Sequence, residues 1–249
     1  MFTPEERVRL RAHLLEKAAG DSRMSGAAIT GSAAAQVEDR WSDIDLAFGV
    51  ADAHELQDVL SDWTAHMYRD HLALHHVDVP SGTWIYRVFF LSSTLQVDLA
   101  FAPANDFRAL APTFRLISGR AVESRHSLPP AANQLIGMAW LYALHARSSI
   151  ARRKLWQAEY MVSGVRDHTL ALACLRHELP TAHGRGMDLL PHEVTEPFEN
   201  SIVRCLERGE LSRAFSVAID CLLHEIRIAD SELAARLHAA LTSLREDPQ

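Results

Sequence analysis

Two carboxylates spaced two residues apart, Asp43 and Asp45, head the apolar run Leu46-Ala47-Phe48. Alternate side chains of an extended strand share a face. Asp43 and Asp45 therefore point one way, and Ile44, Leu46 and Phe48 point the other way, toward a core. Side-by-side carboxylates repel and raise each other's pKa, which makes chemical sense around a hard divalent cation. The tetrapeptide Asp45-Leu46-Ala47-Phe48 recurs as Asp98-Leu99-Ala100-Phe101. That second copy lies in a run that alternates Leu95, Val97, Leu99 and Phe101 against Gln96, Asp98 and Ala100. Were the two strands neighbours, Asp98 would join Asp43 and Asp45, and Ala47 and Ala100 would keep that face open. Three acids so placed could hold two magnesium ions, which clamp the attacking and leaving oxygens in phosphoryl transfer.

The elements that must position these groups are legible from pattern. Thr3-Pro4-Glu5-Glu6 opens a helix with a capping box and proline at its first position, ending near Gly20. A small apolar strand, Ala27 to Thr30, runs into Gly31-Ser32 and an Ala-rich turn of helix, followed by a strand over 43–48. Asp52 with Glu55 caps a helix carrying Leu56, Val59, Leu60, Trp63 and Met67 at helical spacing. Strands are expected over 72–79, 84–91 and 95–101, with a turn at Pro80-Ser81-Gly82 and a hairpin at Ser92-Ser93-Thr94. The first 125 residues thus read as an α+β domain built on a mixed sheet.

Residues 125–130, with Pro129-Pro130, read as a linker. Beyond it no strand is evident. Helices are expected at about 131–147, 151–178, 192–208, 211–228 and 231–245. Phe215, Ile219, Leu222 and Ile226 form one apolar stripe, and Leu233, Leu237, Leu241 and Leu244 form another. Residues 126–249 are therefore expected to form an all-α bundle.

Composition narrows the classes. A net charge of −7 argues against bulk electrostatic binding of nucleic acid. No apolar run approaches the ~18 residues of a membrane span, and the charged N-terminus lacks a signal-peptide core. Three cysteines, Cys174, Cys205 and Cys221, have no metal-ligand spacing and read as reduced core thiols of a cytoplasmic protein. Of 25 basic residues only Lys17 and Lys154 are lysine. The 14 histidines include no pair at i, i+4 on one helix, and no metal site is expected from them.

Gly31-Ser32, a spacer, Asp43-x-Asp45 and a third aspartate, Asp98, on a later strand resemble the signature of the polymerase-beta-type nucleotidyltransferase superfamily. The resemblance covers roughly residues 25–120. With the helical second domain, the whole plan resembles bacterial antibiotic nucleotidyltransferases acting on aminoglycosides and lincosamides. Trp156-Gln157-Ala158-Glu159-Tyr160 and Arg166 match the first long helices of that second domain loosely.

The resemblance implies transfer of a nucleoside monophosphate, AMP from ATP, to a hydroxyl of a small molecule, with release of pyrophosphate. It implies that Gly31 admits the triphosphate backbone-close and that Ser32 and nearby N–H groups hold its terminal phosphates. Asp43 and Asp45 would bind both magnesium ions, and Asp98 would complete the second site. The general base would be Asp98 or Glu159, and Lys154, or its neighbours Arg152 and Arg153, would reach the triphosphate. The acceptor is expected in the cleft between the domains, and a homodimer is compatible with the pattern.

Glu159 and the 152–154 cations read more readily as a solvated helix surface than as site residues. Trp41 could stack on a ring or plug the sheet edge. Arg115 and Arg120 could wall the nucleotide or pair with the bundle. Two other functions fit the same residues: AMP transfer to a protein partner, as in toxin–antitoxin systems, and nucleotide binding without turnover.

Overall fold

The computed structural model describes residues 1–125 and 128–245. The chain divides into two compact units, Met1–Ser127 and Leu128–Gln249. The linker expected over 125–130 includes residues 126 and 127, which lie outside the described residues.

The first unit is one mixed sheet with helices on one face. Its elements are α1 (Pro4–Gly20), β1 (Met24–Thr30), α2 (Gly31–Ala35), β2 (Ile44–Val50), α3 (Leu56–Asp70), β3 (Ala73–Ser81), β4 (Trp84–Leu91), β5 (Gln96–Pro103) and β6 (Phe114–Gly119). The strand order is β3-β4-β5-β2-β1-β6. The β2–β5 pair is parallel; all other pairs are antiparallel. Strand β6 is an addition to what the sequence suggests. Most of its side chains are exposed, so no alternation of burial marks it, and pairing with β1 alone defines it.

Capping fixes where the helices start. Thr3 accepts from the Glu6 N–H while Glu6 reaches back to the Thr3 N–H, the reciprocal box that satisfies two orphan donors. Asp52 accepts from the His54 N–H and opens a single 3-10 turn, from which α3 continues. One sheet face then packs on these helices. Ile44, Leu46 and Phe48 of β2 and Val97, Leu99 and Phe101 of β5 meet Leu14 and Ala18 of α1 and Leu60, Trp63 and Met67 of α3. Phe48, Trp63 and Phe101 are in ring contact, with centroids 4.8–5.7 Å apart, an arrangement worth more than its area alone.

The second unit is all-helical: α4 (Ala132–Ala151), α5 (Leu155–Arg176), α6 (His192–Glu199), α7 (Arg208–Ala229) and α8 (Ser231–Ser243). Its core draws on Ala139, Ala143 and Ile150 of α4, Val162 and Val165 of α5 and Leu222 of α7, among others. The helix expected over 192–208 stops at Glu199 instead. Arg213 of α7 donates to the carbonyls of Asn200 and Ile202, drawing the chain into a turn. Cys174 and Cys221 are buried, but Cys205 is exposed, which corrects the expectation of three core thiols. No described helix is long and apolar enough to cross a membrane.

Candidate active site

The repeated tetrapeptide lies in register across the parallel pair. Asp45 is opposite Asp98, Leu46 opposite Leu99, Ala47 opposite Ala100 and Phe48 opposite Phe101. Paired residues of neighbouring strands project to the same side. The two leucines and two phenylalanines therefore enter the helix-covered core together, and Asp45 and Asp98 share the other face.

Asp43 sits one residue ahead of β2 rather than inside it, since the strand starts at Ile44. It is still drawn to the same place. Gln96, two residues before Asp98 on β5, donates through Nε2 to Asp43 Oδ2 at 3.3 Å. Burial pushes the Asp98 carboxyl up to about 6, and the negative charge of Asp43 adds to the rise. Asp98 Oδ1 is buried and accepts no hydrogen bond within the chain. A buried carboxylate oxygen with no donor is costly, which makes it the group most in need of an external partner.

Gly31 lies against Asp45. Its φ is +61°, and a Cβ there would overlap Asp45 Oδ2 and come within 2.8 Å of the Asp45 carboxyl carbon. Both the left-handed backbone and the close approach require glycine. Next to it the Ser32 hydroxyl is buried and makes no hydrogen bond. Two unsatisfied oxygen-bearing groups thus come from different elements of this unit.

The loop that carries Asp43 is held by a residue the sequence did not single out. Arg7 of α1 is only 3 % exposed. It donates to the carbonyls of Asp39 (2.6 Å) and Ser42 (3.0 Å) and pairs with Glu38 at 3.1 Å. Asp39 accepts from the Trp41 N–H (2.8 Å) and the Ser42 hydroxyl (3.1 Å), and these bonds hold its carboxyl below the usual range. The only sequence signal for Arg7 was its place beside the apolar side of an amphipathic helix. Trp41, in the same loop, is 67 % exposed, with the Arg40 guanidinium 4.5 Å from its ring.

Ala47 and Ala100 do not leave the face open. They are buried with Trp84, Ala102 and Phe107 in a small cluster adjoining the carboxylates. Arg115 stands on β6, and Arg120 follows it. Lys154 and Glu159 belong to the second unit. Lys154 is exposed just ahead of α5, and half-buried Glu159 accepts from the Ser163 hydroxyl at 2.8 Å. A cavity of about 530 Å³ in that unit is lined by residues such as Arg176, Phe198, Asp220 and Glu225 and includes none of Asp43, Asp45 and Asp98.

Among the described residues, no three His, Cys, Asp or Glu side chains are disposed to hold a metal ion by themselves. The aspartates form a facing pair with a tethered third, rather than a finished cage.

No protein-family profile matches the chain, and no curated protein does. Among solved structures, an aminoglycoside 6-adenyltransferase from Bacillus subtilis aligns over 98% of this chain and 99% of its own, at 11% identity and a TM-score of 0.40. A likeness at that level establishes neither family nor activity.

Proposed function

We propose that this protein transfers a nucleoside monophosphate, AMP from ATP, to a hydroxyl of a small molecule and releases pyrophosphate. One observation carries the reading: Asp45 and Asp98 face each other in register, beside a glycine that only a bare backbone could replace. The sequence resemblance to nucleotidyltransferases supports it.

The donor set suits magnesium. Carboxylate oxygens are hard ligands, and Mg²⁺ is usually held by one or two carboxylates together with substrate phosphates rather than by an all-protein cage. Asp43, Asp45 and Asp98 would hold two such ions brought in with the nucleotide. Bound there, magnesium supplies Lewis-acid polarisation and offsets charge on the attacking and leaving oxygens.

The chain's own residues do the rest. Gly31 lets triphosphate oxygens approach the backbone, and the Ser32 hydroxyl donates to one of them. The acceptor oxygen bonds to the α-phosphorus as the bond to pyrophosphate breaks. The hydroxyl proton passes to a carboxylate. Asp98 fits that role because its Oδ1 is unclaimed, whereas the Glu159 carboxylate already accepts from Ser163.

The test is pyrophosphate release from ATP with divalent cation, offered an aminoglycoside, a lincosamide, simple alcohols and protein substrates. Cation-dependent release with a small hydroxyl compound supports the reading. Label transferred only to protein points to protein modification, and tight nucleotide binding without release points to a non-catalytic role. Unchanged turnover in Glu159→Ala would leave Asp98 as the base.

A further inference from the structure

The sheet face that carries Asp98 continues outward to the edge strand, and what lies along it says what kind of acceptor it suits. Register fixes the rows. Asp98 is opposite Val88, which is opposite Val77. One row along, Ala100 is opposite Tyr86, which is opposite Val79. In the other direction, Gln96 is opposite Phe90, which is opposite His75. All these side chains share the face of Asp98.

Three of them are apolar and about half exposed: Val77 at 54 %, Val79 at 51 % and Phe90 at 52 %. Tyr86 is partly buried beside Asp98, and burial and the Asp98 charge both raise its hydroxyl pKa. The charged residues of the same two strands are turned away. Arg87 pairs with Asp78 at 2.6 Å and donates to the Thr64 hydroxyl and the Leu60 carbonyl of α3, on the helix-covered side. Between Asp98 and the sheet edge, this face therefore has no carboxylate, lysine or arginine. It spans two inter-strand spacings, roughly 10 Å, and three rows.

We propose that this strip seats the acceptor, and that the acceptor is a hydroxyl borne on an apolar body one or two rings wide rather than a polycationic sugar. The proposal rests on the nucleotidyl-transfer reading above. Continuity decides the occupant. A molecule lying on Val77, Val79 and Phe90 reaches Asp98 across Val88 without leaving the face, so a hydroxyl at its end meets the carboxylate that takes the proton. A polyamine would meet carboxylates only at the Asp98 end of this path, and nitrogens lying on Val77, Val79 and Phe90 would be desolvated without a charge partner.

The experiment compares acceptor-stimulated pyrophosphate release from MgATP with 2-phenylethanol, glycerol and glucosamine, in the full chain and in Val77→Ser and Phe90→Ser. These sites are exposed, so folding should survive, and urea unfolding verifies it. The expected result is strongest stimulation by 2-phenylethanol. Each variant should raise its KM at least ~5-fold, the scale of burying part of an apolar side chain, with kcat and MgATP affinity unchanged. Equal or stronger stimulation by glycerol or glucosamine overturns the proposal. So does a KM indifferent to both substitutions, or no stimulation by any alcohol while MgATP binds. Absence of MgATP binding in the unaltered chain would instead overturn the nucleotidyl-transfer reading itself.

Discussion

The two faces of the first unit's sheet are built from the same tetrapeptide and do opposite things. On one face, Leu46, Phe48, Leu99 and Phe101 are buried against α1 and α3. On the other, Asp45 and Asp98 stand in register with an oxygen left without a donor. The helix-facing side spends its residues on packing, whereas the aspartate side tolerates uncompensated burial. Strain and unsatisfied polar groups concentrate where function needs them. Substitutions on the two faces should therefore separate stability from activity.

The largest effect is expected on the packed face. Phe101→Ala leaves a cavity beside Phe48 and Trp63 and should cost about 3–5 kcal/mol in urea unfolding. Asp98→Asn should do the reverse, with stability kept or raised in metal-free buffer and turnover lowered at least ~100-fold. An Asp98→Asn protein as destabilised as Phe101→Ala would erase the contrast.

Arg7 bridges the two roles, standing on a helix of the packed side while holding the loop that delivers Asp43. Arg7→Ala removes the donor to two loop carbonyls and one of the two guanidinium partners of Glu38, which keeps Arg11. It should cost about 2–3 kcal/mol and also lower turnover, checked by unfolding and kinetics on the same preparation. Gly31→Ala places a side chain on Asp45 in a left-handed backbone. About 1–2 kcal/mol is expected, together with weaker MgATP binding in calorimetry, since the added methyl would displace the Asp45 carboxylate on which the proposed metal–nucleotide site depends.

The smallest effect is in the helical layer. His71 Nε2 lies 3.1 Å from His66 Nε2, and the His13 ring is 5.4 Å away. Burial, with the charges of His66 and His13, pulls His71 down to about 4, against the pull of Asp70. The unfolded chain takes up this proton near the usual 6.5, so its protonation draws the equilibrium toward unfolding as pH falls from about 6.5 toward 4. Stability present above pH 6.5 should decline as the pH falls to 5, by no more than about 1 kcal/mol because solvent screens this half-exposed group. His71→Gln should flatten that decline in urea midpoints taken at pH 7.5 and pH 5.

Much of this was legible in the chain. Asp45-Leu46-Ala47-Phe48 and Asp98-Leu99-Ala100-Phe101 announced two strands of like facing because a strand's period of two separates faces residue by residue; that they pair, and in register, is seen only in the sheet. The capping box at Thr3 and the stripes of α7 and α8 were equally plain. What escaped depends on tertiary partners. Nothing local distinguishes β6, whose side chains are mostly exposed. Arg213 ends α6 from a distant helix. Gln96 and Arg7 act by reaching residues 53 and 35 positions away, and no periodicity records such contacts. Ala47 and Ala100 looked like open floor because Phe107, which helps cover them, follows in an irregular segment.

The most direct test of the aspartate site is Mn²⁺ titration by electron paramagnetic resonance, with Mn²⁺ as the probe and ATP present. It should be run on the full chain and on Asp45→Asn, with unfolding midpoints measured alongside. The expected result is nucleotide-dependent Mn²⁺ binding that weakens at least ~10-fold in Asp45→Asn, about 1.4 kcal/mol, while the midpoint holds. Equal Mn²⁺ affinity in the two proteins would contradict a metal–nucleotide role for the facing aspartates.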